Sequence, residues 1–390
     1  MTTGALFIHE LTKAIETHSD KKVTPDVKAA RNYQSVTAKA ANSDNFPSFS
    51  LAAWRESNRN TAVREKLAQS LTSTCHHSGF FLLKNHGIDP DLISKVFELS
   101  QRCFELPRKQ REQMHKKHSR HFRGWESEGS EYTNGRPDIR EQIDLWSEHP
   151  ARSQNVEPHY LRLLGPNQWP SQTELADFRP TLERWFSELG GVADELMQVL
   201  SSGLGLPENY FDKAFGNERM SLTKLIRYPK TPAGAFGVNA HHDAGFLTLL
   251  SPGTTPGLQI EQADGSWLEV PVVKNSLVVN LGEILQSMTG NYLLATPHRV
   301  VTNQPRQSAA YFHGPSLDMP LEPIALDAKF AAAVADSPRH KNAGFMARKE
   351  ETEAGTGDMQ SLHRPAVYGE QIWNYFSRSY PDIVEKHYPQ

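Results

Sequence analysis

The sequence predicts a mainly β protein with flanking helices: an all-β core, either a barrel or a double-sheet roll, behind an α-rich amino-terminal region. Two observations carry this. Seven short runs rich in Val, Leu, Ile and aromatic residues, parted by Gly, Pro and Asn, crowd into about a hundred residues after Leu222. Stretches with helical spacing fall before that block and again at the carboxy end, so helices must pack on the outside of one compact β core.

Taken in order, residues 1–44 are polar and weakly periodic, and read as a short helix plus a mobile arm. Residues 45–205 form the helical region. Spacing predicts a helix over 61–78, and "GFFLLKNHGI" (79–88) a buried strand ending in a turn. A second helix covers 89–104, where Leu92, Val96, Leu99 and Phe104 fall near one face before "LPRKQ" ends it. The charged "RKQREQMHKKHSRHF" holds His115, His118 and His121; a solvated loop or helix face is expected there rather than a metal site. Another amphipathic helix covers 180–204. Residues 206–320 are the β core, with runs "LTKLIRYP", "FLTLLSP", "GLQIEQ", "WLEVPVV", "SLVVNLG", "HRVVTN" and "QSAAYFHGP". Residues 321–390 return through a polar segment (341–363), expected to be a flexible loop over the pocket, to a closing helix, "YGEQIWNYFSRSYPDIVEKHYP".

Bulk properties exclude several classes. A net charge of -3 over 390 residues suggests neither nucleic acid nor an anionic membrane as partner, and leaves a small molecule. Nothing approaches the ~20 apolar residues of a membrane span. The amino terminus lacks the basic start and apolar middle of a secretory signal. Cys75 and Cys103 are too few for a disulfide framework, so a reducing, cytoplasmic setting is expected.

The chemistry gathers around "NAHHDAGFLTLL". In an extended chain residues i and i+2 share a face, so His241 and Asp243 point one way and His242 the other. His298, opening a β run in "ATPHRVVTN", supplies a second imidazole. Two histidines and a carboxylate with open positions describe the facial triad of non-haem iron oxygenases, although catalytic zinc accepts the same ligands. Arg306 and Ser308, again at i and i+2, set a guanidinium fork and a hydroxyl side by side, which suits a carboxylate. Tyr228, in "LIRYP", offers a phenol to the same anion. Lys224 lies nearby with its strand face open.

With those residues in hand, the chain resembles the isopenicillin N synthase-like family of iron(II)/2-oxoglutarate-dependent oxygenases, from about Phe46 to Pro381. The resemblance rests on "GFFLLKNHGI", "CFELP", "AHHDAGFLTLL", "PGLQIEQADGSWLEV", "SLVVNLGEILQSMTGNYLLATPHRV" and "RQSAAYF", in family order and spacing. It implies a double-stranded β-helix (jelly roll) core. It also implies iron(II) on His241, Asp243 and His298, and 2-oxoglutarate held by Arg306 and Ser308 with help from Tyr228; Lys224, near Tyr228, is a candidate second cation for the same carboxylate. His242 departs from the threonine common at that position.

Within the family, the bacterial and fungal branch that includes the ethylene-forming enzyme is the most similar, through "TNGRPD", "EILQSMTGNYLLATPH", "YFHGP" and "YGEQIWNYFSRSYPD". That likeness implies substrate contacts at Glu131, Thr133 and Arg378. Ala244 stands where that relative has a tyrosine, so the substrate pocket differs.

The implied activity uses dioxygen and 2-oxoglutarate, releases succinate and carbon dioxide, and hydroxylates, desaturates or cyclises a small substrate that is carboxylate-bearing or derived from an amino acid. Three alternatives stay open at this point. One is an oxidase of the same fold that dispenses with 2-oxoglutarate and uses Arg306 and Ser308 to grip its substrate. Another is a binding protein that has kept the fold. A zinc hydrolase is disfavoured by the absence of HExxH.

Overall fold

The computed structural model describes residues 38–389 except 134, 217, 233–234 and 342–366. The expected arm before residue 38 and nearly all of the expected loop at 341–363 lie outside the described residues.

Two sheets face each other. The smaller is built from β1 (Lys39–Ala40), β9 (Val238–His241), β11 (Leu258–Glu261), β12 (Trp267–Glu269) and β14 (His298–Val300), in the spatial order β1-β12-β11-β14-β9. The larger takes β2 (Ser48–Ser50), β3 (Phe80–Lys84), β4 (Gly124–Glu126), β7 (Glu141–Trp146), β8 (Leu222–Tyr228), β10 (Leu247–Ser251), β13 (Leu277–Leu281) and β15 (Arg306–His313). Its order is β2-β3-β13-β10-β15-β8-β7-β4. A hairpin of β5 (Tyr132–Thr133) and β6 (Arg136–Pro137) forms its own two-stranded sheet. All seven predicted β runs are strands, and Lys39–Ala40, within the expected arm, pair with β12.

Alternation along the strands explains how one sheet serves two cores. Phe80, Leu82, Val278, Ile226 and Tyr228 meet Val238, Leu258, Ile260 and Val300 of the facing sheet in the core of the roll. Phe81, Leu83, Val279, Leu249, Leu225 and Tyr311 turn the other way, into the core that includes the helices. Those helices are α1 (Thr61–His77), α2 (Pro90–Glu105), α3 (Phe178–Gly203) and α4 (Tyr368–Ser379). A side chain such as Leu249, 0% exposed, contributes about 1.5–3 kcal/mol by its burial. Asn60 caps α1 by accepting from the Val63 amide, and Asp89 caps α2 ahead of Pro90. Helices α1 and α3 meet at Gly203, where an added Cβ would lie 2.5 Å from the Ala68 carbonyl oxygen.

Two features depart from the sequence reading. The stretch after Gln113 is only partly solvated: Lys117 and His118 are exposed as expected, but Lys116 and His121 are buried. Strands β4 and β7 were not anticipated, because β7 is "EQIDLW" with every residue buried. Its acids Glu141 and Asp144 are neutralised by cations from other segments: Arg111 and Arg227 for the first, Lys116 and Lys224 for the second. Such a strand looks polar until its partners are in place.

Candidate metal centre

His241 ends β9 and His298 begins β14, and the antiparallel register makes them direct partners, with ring centroids 4.3 Å apart. Asp243 lies two residues past the end of the strand, just before the bend at 244–246 that leads to β10. Its Oδ1 nevertheless sits 3.8 Å from His241 Nε2 and 3.6 Å from His298 Nε2. The three ligand atoms lie within 4.8 Å of one another, and among the described residues no other group of His, Cys, Asp or Glu converges in this way.

The surroundings leave the correct atoms free. His241 Nδ1–H donates to the Asn239 carbonyl (2.8 Å) and His298 Nδ1–H to the Thr296 carbonyl (3.2 Å). Each Nε2 lone pair is then turned to the shared point. Asp243 Oδ2 accepts from the Thr248 hydroxyl and from Asn280 Nδ2 (2.7 Å), leaving Oδ1 for a cation. Burial, then the neighbouring His298, pushes the His241 pKa down to about 3, so its imidazole is neutral. Burial opposes ionisation of Asp243, but His298, His241 and the two hydrogen bonds outweigh it and hold its carboxyl below the ordinary range. His242 Nδ1–H donates to the Ala295 carbonyl (2.8 Å), away from the convergence point. Thr248 and Asn280 went unnoticed in the sequence. Their signal was present: each is a buried polar residue flanked on both sides by apolar ones in its strand.

Arg306 opens β15 opposite Tyr228, with its guanidinium carbon 5.0 Å from the tyrosine ring, and Ser308 lies two residues on. Arg306 Nε donates to the Thr255 carbonyl (3.2 Å), while its Nη1 and the Ser308 hydroxyl are buried with no partner. Burial lowers the Arg306 pKa from its ordinary value. Unpaired buried donors of this kind cost about 1–3 kcal/mol each, a cost that an incoming carboxylate removes. The residues therefore fit a co-substrate carboxylate.

Beside Tyr228 lies a buried charged network. Lys224 Nζ contacts Asp144 (3.1 Å) and Glu131 (3.3 Å); Glu131 also pairs with Arg140, and Arg140 with Asp138 (3.2 Å). Lys116, 1% exposed, bridges Asp144 (2.8 Å) and Glu126, and donates to the Tyr380 hydroxyl (2.8 Å). Burial works to raise the Glu131 pKa, but Arg140, Lys224 and Lys116 outweigh it and keep it well below the usual carboxylate value. Lys224, expected beside Arg306, is thus occupied by carboxylates instead. Thr133 donates to Asp138 (2.8 Å). Arg378 is exposed on the last turn of α4, with Nε on the Asn374 carbonyl (3.2 Å).

A double-stranded β-helix that presents two histidines and one carboxylate, next to a buried guanidinium with an unpaired Nη1, defines the class of non-haem metal oxygenases. Comparison with known proteins makes this specific. Residues 46–172 match the family described as non-haem dioxygenase in morphine synthesis N-terminal, and residues 215–315 the 2OG-Fe(II) oxygenase superfamily. The chain belongs to that superfamily and is a 2-oxoglutarate-dependent dioxygenase. It is 30% identical to the Aspergillus niger 2-oxoglutarate-dependent dioxygenase caaD, over 69% of this chain and 84% of the relative. It is 27% identical to the homoarginine-6-hydroxylase 2-ODD-C23.1 of Arabidopsis thaliana, over 79% of this chain and 87% of the relative. Among solved structures it is similar to that of a full-length Neurospora crassa protein in complex with alpha-KG and thymine, at 25% identity and a TM-score of 0.62, covering 73% of this chain and 90% of the other. No helix among the described residues is long and apolar enough to cross a membrane.

Proposed function

We propose that this dioxygenase oxidises a C–H bond of a small charged substrate, carboxylate-bearing or derived from an amino acid, and that it falls near the branch containing the ethylene-forming enzyme. His241, Asp243 and His298 hold the iron(II). Arg306 and Ser308, with Tyr228, take the far carboxylate of 2-oxoglutarate. With both bound, such a centre uses dioxygen to convert 2-oxoglutarate to succinate and carbon dioxide while oxidising the second substrate.

The chain's own residues do the rest. Neutral His241 needs no deprotonation before it binds metal. Thr248 and Asn280 fix which oxygen of Asp243 faces the ion. The apolar interior of the roll keeps bulk water from the reacting atoms.

The observation that carries the substrate class is the charged network next to Tyr228. Glu131, Arg140 and Lys224 are largely buried, and their charges are balanced by one another and by Asp138 and Asp144, which equips them to exchange partners with a charged ligand. The likeness to a homoarginine-6-hydroxylase supports the same class. Thr133 then supports the hairpin, and Arg378 supplies a cation at the rim.

The test is anaerobic loading with iron(II), titration with 2-oxoglutarate to a charge-transfer band, then succinate release across a panel of amino acids and small carboxylates. Release stimulated by a charged member of the panel, and reduced at least tenfold in Glu131→Gln, is expected. Stimulation only by uncharged compounds would overturn the substrate class. Iron binding without a 2-oxoglutarate band would remove the Arg306 assignment.

A further inference from the structure

The hairpin that carries Thr133 and the strand that carries His241 meet at one side chain. Asp138 follows β6 directly and is 0% exposed. Its Oδ1 accepts from both the backbone amide of Asn239 (3.2 Å) and the Asn239 side-chain amide (3.1 Å). Its Oδ2 accepts from the Thr133 hydroxyl (2.8 Å) and lies 3.2 Å from Arg140 Nη2. Asn239 in turn offers its carbonyl to His241 Nδ1–H at 2.8 Å. The path from Arg140 to the imidazole therefore runs through Asp138 and one residue of β9, with every step a hydrogen bond or ion pair.

From this we infer that Asp138 is a positioning residue for the iron centre: it clamps Asn239 so that the Asn239 carbonyl holds the His241 ring with Nε2 towards the metal. β9 is four residues long and an edge strand, paired only with β14 through a register shift that leaves Asn239 between the two paired positions Val238 and His241, so hydrogen bonding within the sheet does little to fix residue 239 against rotation. A two-point grip on one residue, backbone and side chain together, does fix it. Because the other oxygen of the same carboxylate holds Thr133 and Arg140, the clamp also ties the charged hairpin to the metal ligand. The inference rests on the proposal that His241 is an iron ligand.

The experiment measures iron(II) affinity of the full chain anaerobically, by competition with a chromophoric chelator, together with the position of the 2-oxoglutarate charge-transfer band. Asp138→Ala is expected to weaken iron(II) binding about tenfold or more, the usual effect of removing an orienting partner, and to shift the band. Asp138→Asn keeps an oxygen for Asn239 and should restore affinity to within about threefold and return the band, whereas a role in packing alone would leave the band unshifted in every folded variant. If Asp138→Ala does not fold, Asn239→Asp opens the same clamp by setting two carboxylates face to face, and the same loss is expected. Wild-type iron affinity and an unshifted band in the folded Asp138→Ala variant, or in Asn239→Asp, overturn the inference. His241→Ala separates the two ideas. Undiminished iron binding there defeats the ligand assignment, whereas loss there with wild-type affinity in Asp138→Ala defeats only the clamp.

Discussion

Replacing Arg306 with methionine separates binding from stability. Methionine keeps most of the buried stem and removes the charge. In the ligand-free protein the change loses the Nε bond to the Thr255 carbonyl, worth about 1 kcal/mol, and relieves an unpaired Nη1 that costs about 1–3 kcal/mol. Intrinsic stability should then stay within roughly 1–2 kcal/mol of wild type. Binding of 2-oxoglutarate loses the charged partner of a buried carboxylate, about 2–5 kcal/mol, or roughly 30-fold to a few thousand-fold in Kd. The assay is thermal or urea unfolding with and without 2-oxoglutarate, alongside the anaerobic charge-transfer titration. Wild type should gain about 2.7 kcal/mol at a hundredfold excess over Kd, and the variant should gain almost nothing. A variant that binds 2-oxoglutarate within threefold of wild type refutes the reasoning, as does a ligand-free loss of several kcal/mol, which would make Arg306 a structural residue.

Three further outcomes are expected. Lys116→Met should destabilise the protein by about 3–5 kcal/mol in urea unfolding, because Glu126 and Asp144 are left buried without their shared cation; a loss below about 1 kcal/mol would contradict this. Gly282→Ala should lower both stability and iron affinity, since the added Cβ lies 2.1 Å from the Gly245 carbonyl oxygen in the bend that follows Asp243; unchanged chelator competition would count against it. In metal-free protein, His241 and His121 have folded pKa values lowered to about 3 and about 4, chiefly by burial, so the unfolded state binds more protons below about pH 6.5. Stability should therefore fall as pH drops from 7.5 to 5.5, and less steeply in His241→Gln; a flat profile in the parent would contradict the burial argument.

How much of this was legible depended on whether a residue's partner is near in sequence. The helices at Thr61–His77, Pro90–Glu105 and Phe178–Gly203 match their expected positions closely, because a 3.6-residue pattern is a local signal. The seven β runs were legible for the same reason. Strand β7 was not, since Glu141 and Asp144 make sense only once Arg111, Arg227, Lys116 and Lys224 have arrived from elsewhere. The charged stretch containing Lys116 was read as solvated on the same local evidence, and its burial depends on Glu126, Asp144 and Tyr380, the last of them 264 residues away.

The sequence by itself determined the β core with helices outside it, and the residue types of a metal triad and an anion anchor, because chemistry and periodicity are written in the residues. The tertiary structure decided which atoms are free to act. It turned His241 Nε2 and His298 Nε2 towards Asp243 Oδ1 by occupying their other polar atoms, left Arg306 Nη1 unpaired, and drew Lys224 away to Glu131 and Asp144. Those outcomes depend on which partners lie within bonding distance of each buried polar group, and in the low-dielectric interior of the roll, where every such pairing counts, that is settled only by three-dimensional placement.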